Sequence, residues 1–508
     1  MWKNKTISLV ITTILIVSTL SLITIDKAEG TNGTILYVGG NGASNYTYIQ
    51  VAIDDANPGD TVFVYAGVYY ESLLIDKSIN LIGEDKKDTI IDANGLDGVE
   101  ISADWVTLSC FTIQNGLNKN GIVLSEYSSN NTIIDNIITN SNHGIDLDSS
   151  NNNNLISDNA ITNNNYYGIH LSHSSNNIIM DNTITENSND GISLGFSDNN
   201  NIISGNTIIS NRGGIDFYNS DNNIITDNTI TKSEYYGTVL SEFSSNNLIS
   251  NNTITNNDYT GIRIRRMSYN NTVVDNTISE NSYNGMAIYD SQENAISGNT
   301  ITLNKNNGIY LEFASNNKIY HNNFMDNKIH ANTKHGQDTV WDNGHPSGGN
   351  YWDDYTGIDA NGDSIGDTPY YIPGGEYRDR YPLMTPYNLT INQPPTAHFT
   401  YSIDRLIITF TDASNDSDGS ITAWYWDFGD QTSSVISSPT HEYGEEGDYT
   451  VKLTVTDNAG GTDSYTQVIT VENEEEDGVN DGGGTPGFEI VLLLIAFISL
   501  FMIVRKKR

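Results

Sequence analysis

Cysteine is almost missing from the sequence, with one residue, Cys110, in 508. A single thiol cannot form an internal disulfide, so a disulfide-stapled fold is excluded and stability must come from packing and backbone pairing. Cys110 lies in an apolar run, residues 106–113, which predicts a position in the core.

Basic residues are also scarce, since 24 Lys and Arg face 63 Asp and Glu and give a formal net charge of -39. Such an excess of negative charge argues against nucleic acid or anionic lipid surfaces as partners. It favours solubility and the binding of cations.

A repeat occupies the middle of the chain, residues 121–330, and its units contain little that favours helices. A glycine recurs every 23 or 24 residues, at Gly121, Gly144, Gly168, Gly191, Gly214, Gly237, Gly261, Gly285 and Gly308. An asparagine recurs in phase with it, at Asn136, Asn159, Asn182, Asn206, Asn228, Asn252, Asn276, Asn299 and Asn322. The ladder of asparagines predicts stacked side chains at a turn, which bond to one another and to free backbone groups.

Each repeat unit holds two short alternating runs separated by turn residues, such as residues 144–148 and 155–157. Alternation over this length predicts strands, and strands that recur without a crossover helix can stack only as a coil of parallel rungs. The repeat therefore predicts a parallel β-helix. Its inward positions are Ile122, Ile145, Ile169, Ile192, Ile215, Thr238, Ile262, Met286 and Ile309, beside Leu124, Leu147, Leu171, Leu194, Phe217, Leu240, Ile264, Ile288 and Leu311.

Residues 31–120 are interpreted as the N-terminal cap and first turns of the same coil, with a short helix over residues 48–54. A cap is needed because the first rung would otherwise expose a strand edge and an open apolar core. This opening resembles the pectin-lyase-like β-helix superfamily, which implies a right-handed coil. The mid-helix aspartate pair of pectin methylesterases and the acidic trio of polygalacturonases are not matched.

Residues 331–388 are interpreted as the C-terminal cap. They contain Trp341-Asp342-Asn343-Gly344, Gly349-Asn350-Tyr351-Trp352-Asp353-Asp354-Tyr355, and Asp379-Arg380-Tyr381-Pro382-Leu383. Together with the repeats, these segments resemble the NosD-type β-helix domain, a family named for a copper-related periplasmic protein. A copper-related accessory role would need clustered ligands, and the candidates are His321, His330, His335 and His345.

The strand that follows the repeated glycine in each unit is called here the glycine strand. The outward positions of these strands form the main candidate site for ligand binding. They carry aromatic rings, carboxylates and arginines, a combination that can hold a sugar chain along a groove. The candidate residues are Asp146, Asp148, His170, Asp216, Tyr218, Arg263, Arg265, Tyr289, Tyr310 and Glu312. A solvated sheet face with ion pairs between rungs is the alternative.

A second candidate site is an acidic loop at residues 359–367. Oxygen ligands at alternate positions resemble a calcium loop, and the candidate ligands are Asp359, Asn361, Asp363 and Asp367. The loop lacks the usual Gly at position 6 and Glu at position 12. Calcium is therefore one interpretation, and a plain Asp/Gly turn is the other.

After a linker at residues 389–396, residues 397–472 alternate as antiparallel strands over 406–410, 423–426, 450–455 and 466–471. This pattern predicts a β-sandwich. The segments Trp424-Tyr425-Trp426-Asp427-Phe428-Gly429-Asp430 and Gly447-Asp448-Tyr449-Thr450-Val451 closely resemble a PKD domain, which implies an immunoglobulin-like spacer or interaction module. The predicted fold class is all-β, a right-handed parallel β-helix followed by this sandwich.

The two ends of the chain predict export and anchoring. Residues 1–30 have two early lysines and then a long apolar run, as in a signal peptide or signal anchor. An acidic spacer at 473–485 leads to residues 486–508, which hold Pro486-Gly487-Phe488, an apolar stretch and a basic end. This order resembles the PGF-CTERM tails of archaeal surface proteins, which implies attachment through a lipid; a plain membrane anchor is the alternative.

Sequons that fit an exported chain occur at Asn32, Asn45, Asn130, Asn251, Asn270, Asn388 and Asn415. The sequence thus predicts a secreted, non-catalytic structural or glycan-binding protein at the outer face of the cell membrane. A polysaccharide lyase or glycoside hydrolase acting along the β-helix face and a copper-related accessory protein are the alternatives.

Overall fold

The computed structural model describes residues 33–387 except 126, 150 and 337, and residues 394–471 except 417–420, 431 and 458–460. These residues form two compact units. The first is a right-handed parallel β-helix and the second is an antiparallel β-sandwich, which confirms the predicted fold class.

Each turn of the β-helix contains three strands, as in the turn formed by Leu155–Ser157, Ala160–Thr162 and Ile169–Ser172. The sequence predicted only two strands in each unit. The missed strand, Ala160–Thr162 in this turn, directly follows the ladder asparagine Asn159. Only Asp158 and Asn159 separate it from Leu155–Ser157, so the sequence pattern does not show two separate strands.

The three strands of successive turns build three parallel sheets. Sheet 1 consists of Ile35–Val38, Thr61–Val64, Asn80–Gly83, Thr107–Ser109, Thr132–Ile134, Leu155–Ser157, Ile178–Met180, Ile202–Ser204, Ile224–Thr226, Leu248–Ser250, Thr272–Val274, Ala295–Ser297 and Lys318–Tyr320. Sheet 2 consists of Gly67–Tyr69, Thr89–Asp92, Thr112–Gln114, Ile137–Thr139, Ala160–Thr162, Thr183–Thr185, Thr207–Ile209, Thr229–Thr231, Thr253–Thr255, Thr277–Ser279, Thr300–Thr302, Asn323–Met325 and Tyr351–Trp352. Sheet 3, the glycine sheet, consists of Leu73–Ile75, Val99–Ile101, Ile122–Leu124, Ile145–Asp148, Ile169–Ser172, Asp190–Gly195, Gly213–Tyr218, Thr238–Ser241, Ile262–Arg265, Met286–Tyr289, Asn307–Glu312 and Ile329–Lys334.

The predicted inward columns form the core of the coil. In the glycine sheet Ile145 pairs in register with Ile169, and Leu147 pairs with Leu171. These side chains are fully buried, as are nearly all other members of both columns. Alternation with period 2 places every second residue inside, so the columns follow directly from the sequence pattern.

The predicted asparagine ladder is present and has two companions. Asn182 Nδ2 donates to Asn206 Oδ1 in the next turn and to the carbonyl of Ile156 in the previous one. Further ladders run through Asn154 and Asn177 and through Asn164 and Asn187. Buried side-chain amides thus satisfy backbone groups at all three corners where the chain leaves a sheet.

Both ends of the β-helix are closed. The predicted N-terminal helix spans Ile49–Asp55, and the Glu71 carboxylate accepts hydrogen bonds from the first two helical N–H groups at 2.8 and 3.0 Å. At the other end Trp352 stacks between Phe324 and Tyr370, with ring centroids 4.4 and 4.3 Å away. The short antiparallel pair Tyr370–Tyr371 and Arg378–Asp379 completes this cap.

The prediction that Cys110 is a core residue is wrong. Cys110 is half-buried at a corner with φ of 64°, and its sulfur lies 3.7 Å from Asp135 Oδ2. The chain reverses the inward and outward alternation at this corner, so the following Phe111 fills the core instead.

The second unit has two antiparallel sheets. One contains Phe399–Asp404, Ile407–Asp412 and Thr440–Glu442, and the other contains Ser433–Ser434, Ile421–Asp427, Gly447–Asp457 and Thr462–Val471. The four predicted strands are confirmed; the second and third are longer at both ends, and the fourth begins earlier, at Thr462. Trp426 is fully buried between Phe399 and Phe410, and Tyr443 donates its hydroxyl to the Phe428 carbonyl at 3.0 Å.

Candidate functional site

The outer face of the glycine sheet carries the predicted ligand-binding residues in two columns. Strand register places Asp146, His170, Asp216, Arg263 and Tyr310 in one column, each on its own turn. The second column contains Asp148, Tyr218, Arg265, Tyr289 and Glu312. Side chains that are about 24 residues apart in sequence therefore become neighbours at the spacing of one parallel rung, about 4.8 Å.

A small cleft opens in the middle of this face, with a cavity of about 240 Å³. Of the predicted residues, Asp216 and Arg265 line it. Four further charged or aromatic lining residues were missed: Asp190, Arg212, Tyr235 and Tyr236. A signal was present for all four, because each lies one or two residues before a ladder glycine, at the corner that leads into the glycine sheet.

Arginines and tyrosines are stacked at the cleft. The Arg263 guanidinium lies 5.0 Å from the ring centre of Tyr236 and 4.9 Å from that of Tyr289, and it also donates to the Tyr236 hydroxyl. Arg212 lies 5.0 Å from the ring centre of Tyr235. Nε of Arg263 and Nε of Arg265 are buried without a hydrogen-bond partner among the described residues. Unpaired buried donors are rare in folded proteins, so each of these two Nε atoms requires an acceptor such as water or a ligand.

Two carboxyl groups of the cleft titrate near neutral pH. Burial, together with the charge of Asp216, raises the pKa of Asp190 to about 7, although Arg212 opposes the shift. Burial also raises the pKa of Asp216 to about 6, against the opposing charge of Arg265. Carboxyl groups with such values can both accept and donate a proton in the physiological range.

A second cluster, composed of His143, Asp146 and His170, lies on the same face. His170 Nδ1 lies 2.8 Å from Asp146 Oδ1, and the rings of His143 and His170 are stacked with centroids 5.1 Å apart. Burial lowers the pKa of His143 to about 4, against the charge of Asp146, so the ring is neutral at physiological pH. His143 was not among the predicted site residues, although it directly precedes the ladder glycine Gly144, as Asp190 precedes Gly191.

The four histidines proposed for copper do not converge. His321 Nε2 lies 2.7 Å from the Ser347 carbonyl oxygen, and His345 Nε2 lies 3.0 Å from Asp363 Oδ2. His335 stacks on Phe313. His330 alone lies in a cluster of potential ligands, with the carboxylates of Asp353 and Asp354 at 2.7 and 3.5 Å from its Nε2.

The predicted calcium loop is closed by its own hydrogen bonds. Both carboxylate oxygens of Asp359 accept backbone N–H groups of the loop, and Asp363 Oδ1 accepts the N–H of Ile365 at 2.9 Å. Asp367 Oδ2 accepts the N–H of Ala360 at 2.7 Å, and Asn361 donates to Asp363. These contacts are those of an Asp-rich turn, and calcium binding stays a prediction.

Among the predicted sequons, Asn251, Asn270 and Asn415 are exposed, whereas Asn45 and Asn130 are half-buried. Asn32 and Asn388 lie outside the described residues, as do the signal segment and the predicted sorting residues Pro486, Gly487 and Phe488. Within the part of the chain that the structure describes, no helix has the length and apolar character needed to cross a membrane.

Family comparisons agree with this architecture. Residues 97–245 match the model of the right handed beta helix region, and residues 197–357 match that of NosD, described as a periplasmic copper-binding protein. Residues 392–472 match the PKD domain. The chain therefore combines a right-handed β-helix, part of which matches NosD, with a PKD domain.

The description of NosD as a copper-binding protein implies copper, but the described residues of this chain within the matched span do not fit that metal. In the described part of residues 197–357, no potential ligand cluster contains more than one histidine. Copper sites need several histidine, cysteine or methionine ligands together. The match of residues 197–357 to NosD therefore supports the fold, and it does not support a copper site within that span.

Among curated proteins, the pre-pro-metalloprotease PrtV of Vibrio cholerae serotype O1 strain M66-2 is 40% identical to this chain over 83 residues. The match covers 16% of this chain and only 9% of that relative, so it concerns a PKD module.

Two solved structures share the β-helix fold. The mannuronan C-5 epimerase AlgE6 A-module of Azotobacter vinelandii is 18% identical with a TM-score of 0.53, over 57% of this chain and 93% of its own. The GH87 α-1,3-glucanase of Streptomyces thermodiastaticus strain HF3-3 is 15% identical with a TM-score of 0.52, over 65% and 71% of the two chains.

Proposed function

We propose that this protein binds an acidic polysaccharide along the outer face of the glycine sheet, as a secreted protein of the cell surface. The observation that carries this proposal is the stacking of Arg263 between Tyr236 and Tyr289 beside the cleft. The signal segment and the tail at residues 486–508 support export and anchoring, and the PKD domain suits a spacer.

The distribution of arginine supports an anionic ligand. Between residues 33 and 377 the sequence contains only Arg212, Arg263, Arg265 and Arg266, in a chain with a net charge of -39. Stacking against tyrosine fixes the guanidinium plane, and a fixed guanidinium binds carboxylate or sulfate groups through paired hydrogen bonds. A small positive patch in an acidic surface thus favours a ligand with spaced negative charges.

The shape of the face supports an extended chain as the ligand. A cavity of about 240 Å³ is below the usual range of sites that enclose a small molecule, about 300–1,000 Å³. It can hold only a short part of a ligand, while tyrosines in neighbouring turns offer flat apolar surfaces on either side. The two proteins with a similar fold, a mannuronan epimerase and a glucanase, are named for polysaccharides, which favours a ligand of this class.

Calorimetric titration of the full chain with polymannuronate and with a neutral α-1,3-glucan tests the proposal. We expect binding of the uronate polymer only, with affinity that falls as salt rises. Arg263→Gln should weaken binding by about 10- to 100-fold, the loss of a charge-assisted hydrogen bond. The matched control Arg378→Gln, at an exposed cap position, should bind like the wild type. Equal binding of the neutral glucan, or an equal loss in the control, contradicts the proposal.

Catalysis on the bound chain is a second candidate function, favoured by the raised pKa values of Asp190 and Asp216. In an elimination, one carboxylate removes the proton next to a uronate carboxyl group while the C4–O bond breaks, and a protonated carboxyl delivers a proton to the leaving oxygen. Hydrolysis would use the same pair with water.

The two functions differ in product formation. Under the catalytic hypothesis, incubation with polymannuronate produces new reducing ends, with ultraviolet absorbance from an unsaturated uronate in the case of elimination. Asp216→Asn should then stop product formation while leaving binding in place. Binding by the wild type with no product over a long incubation supports a surface protein without this activity.

A further inference from the structure

We propose that His143, Asp146 and His170 bind a divalent transition-metal ion of the zinc type. One potential ligand atom from each residue lies within 4.8 Å of the other two. The proposed site lies outside residues 197–357 and does not depend on glycan binding.

The donor set selects the class of ion. Two imidazoles and one carboxylate suit Zn²⁺ and its transition-metal neighbours, whereas Ca²⁺ and Mg²⁺ prefer oxygen ligands. Zinc sites with three protein ligands keep a further position for water or another ligand. The cluster offers three such ligands on the outer face of the sheet, where the side chains of His170 and Asp146 are 24% and 16% exposed.

Strand register holds two of the ligands at a suitable separation. Asp146 and His170 are partners on adjacent rungs, and Asp146 Oδ1 lies 2.8 Å from His170 Nδ1. Adjacent ligand atoms on a tetrahedral ion with bonds of about 2.1 Å are about 3.4 Å apart, so these two atoms would separate by about 0.6 Å when the ion binds. His143 lies at the corner that precedes Ile145–Asp148, the strand that carries Asp146.

A second observation concerns His143 itself. Its Nδ1 atom is buried and has no hydrogen-bond partner among the described residues. The bond between His170 and Asp146 explains why those two side chains meet, but it does not explain a buried polar atom of the third residue beside them. A buried ring nitrogen without a partner needs an explanation, and a bound metal ion would provide one.

Neighbouring side chains orient the three residues of the cluster through hydrogen bonds and ring stacking. Residues around known metal sites orient the metal ligands in the same way. Asn120 Nδ2 donates to Asp146 Oδ2 at 2.8 Å, and Asn120 Oδ1 accepts the backbone N–H of His143 at 3.1 Å. The ring of Tyr167 is stacked on His143 and on His170, with interplanar angles of 18° and 14°. Such contacts fix ligand orientation and commonly change metal affinity by about 10- to 100-fold when removed.

The test uses the purified full chain after treatment with a chelator, by equilibrium dialysis against Zn²⁺ and by absorption spectroscopy with Co²⁺. His143→Ala and His170→Ala remove ligands, and Asn120→Ala removes the supporting amide. The matched control is His173→Ala, an exposed histidine of the adjacent corner outside the cluster. His330→Ala tests the other cluster. Circular dichroism establishes that each variant is folded.

We expect the wild type and His173→Ala to bind one more equivalent of Zn²⁺ than His143→Ala or His170→Ala. Asn120→Ala should bind that equivalent about 10- to 100-fold more weakly. Zn²⁺, but not Mg²⁺, should raise the unfolding midpoint of the wild type, and this shift should be absent in His143→Ala. If folded His143→Ala and His170→Ala bind as much Zn²⁺ as the wild type, the proposal is overturned. It is also overturned if only His330→Ala loses the bound Zn²⁺ equivalent.

Discussion

Asn159 Nδ2 donates a hydrogen bond to Asn182 Oδ1, one turn further along the β-helix, at 3.0 Å. The same Nδ2 atom donates to the carbonyl of Ile133 in the preceding turn at 2.9 Å. Each ladder asparagine therefore connects three successive turns, and the ladder stabilises the coil where its strands bend.

Asn206→Ala should destabilise the protein strongly. Asn206 is fully buried, donates to the carbonyl of Ile179 and to Asn228, and accepts from Asn182. Its removal leaves buried groups unpaired, at a cost of about 2–4 kcal/mol. The midpoint of urea unfolding measures this loss, and exposed Asn118→Ala is the control, with an expected change within about 0.5 kcal/mol. Equal midpoints for the two variants would contradict a structural role for the ladder.

Gly214→Ala should destabilise the protein, whereas Gly195→Ala should not. A Cβ atom at Gly214 would overlap the carbonyl oxygen of Gly237 and the side chain of Ile230, whereas at Gly195 the nearest atom is 3.9 Å away. Both residues belong to the glycine sheet, so the pair separates steric overlap from the general effect of alanine. We expect a loss of about 1–3 kcal/mol for Gly214→Ala. Thermal unfolding followed by circular dichroism distinguishes the two; similar curves would refute the packing explanation.

The stability of the PKD domain should depend on Trp426 and much less on its neighbour Tyr425. Trp426 is fully buried, whereas Tyr425 is 51% exposed on the opposite face of the same strand. Trp426→Ala should cost about 3–5 kcal/mol, and Tyr425→Ala much less. Near-ultraviolet circular dichroism during urea titration reports the loss, and a Trp426→Ala domain as stable as the wild type would show that this core assignment is wrong.

The contribution of Asp190 and Asp216 to the free energy of unfolding should fall as pH rises. Their pKa values in the folded protein, about 7 and about 6, exceed the ordinary value of 3.8. Between those limits the folded chain binds more protons than the unfolded chain, so these groups contribute stability at low pH that is lost as pH rises to about 7.

Urea unfolding at about pH 5 and about pH 8 measures this effect. The wild type should lose more stability between the two conditions than Asp190→Asn or Asp216→Asn, because an amide does not titrate. The paired comparison cancels the contribution of all other carboxylates. An identical pH response in wild type and variants would show that these two groups titrate normally.

The sequence predicted the fold and the inward columns because both depend on local patterns. Alternation decides which side chains point inward, and the glycine spacing fixes the length of a turn, so Ile145 and Ile169 must meet. The same rule placed Arg263 and Tyr289 on one face. It did not reveal the third strand of each turn, because only a two-residue corner separates that strand from the one before it.

The cleft and the histidine cluster were decided only by the tertiary structure. Tyr236 and Arg263 are 27 residues apart, and their contact depends on how a corner folds over the sheet, which no period in the sequence records. The raised pKa values of Asp190 and Asp216 likewise arise mainly from burial, which depends on the fold. Sequence periodicity fixes which residues share a face, whereas the path of the corners decides which side chains meet on it and which of them lose contact with water.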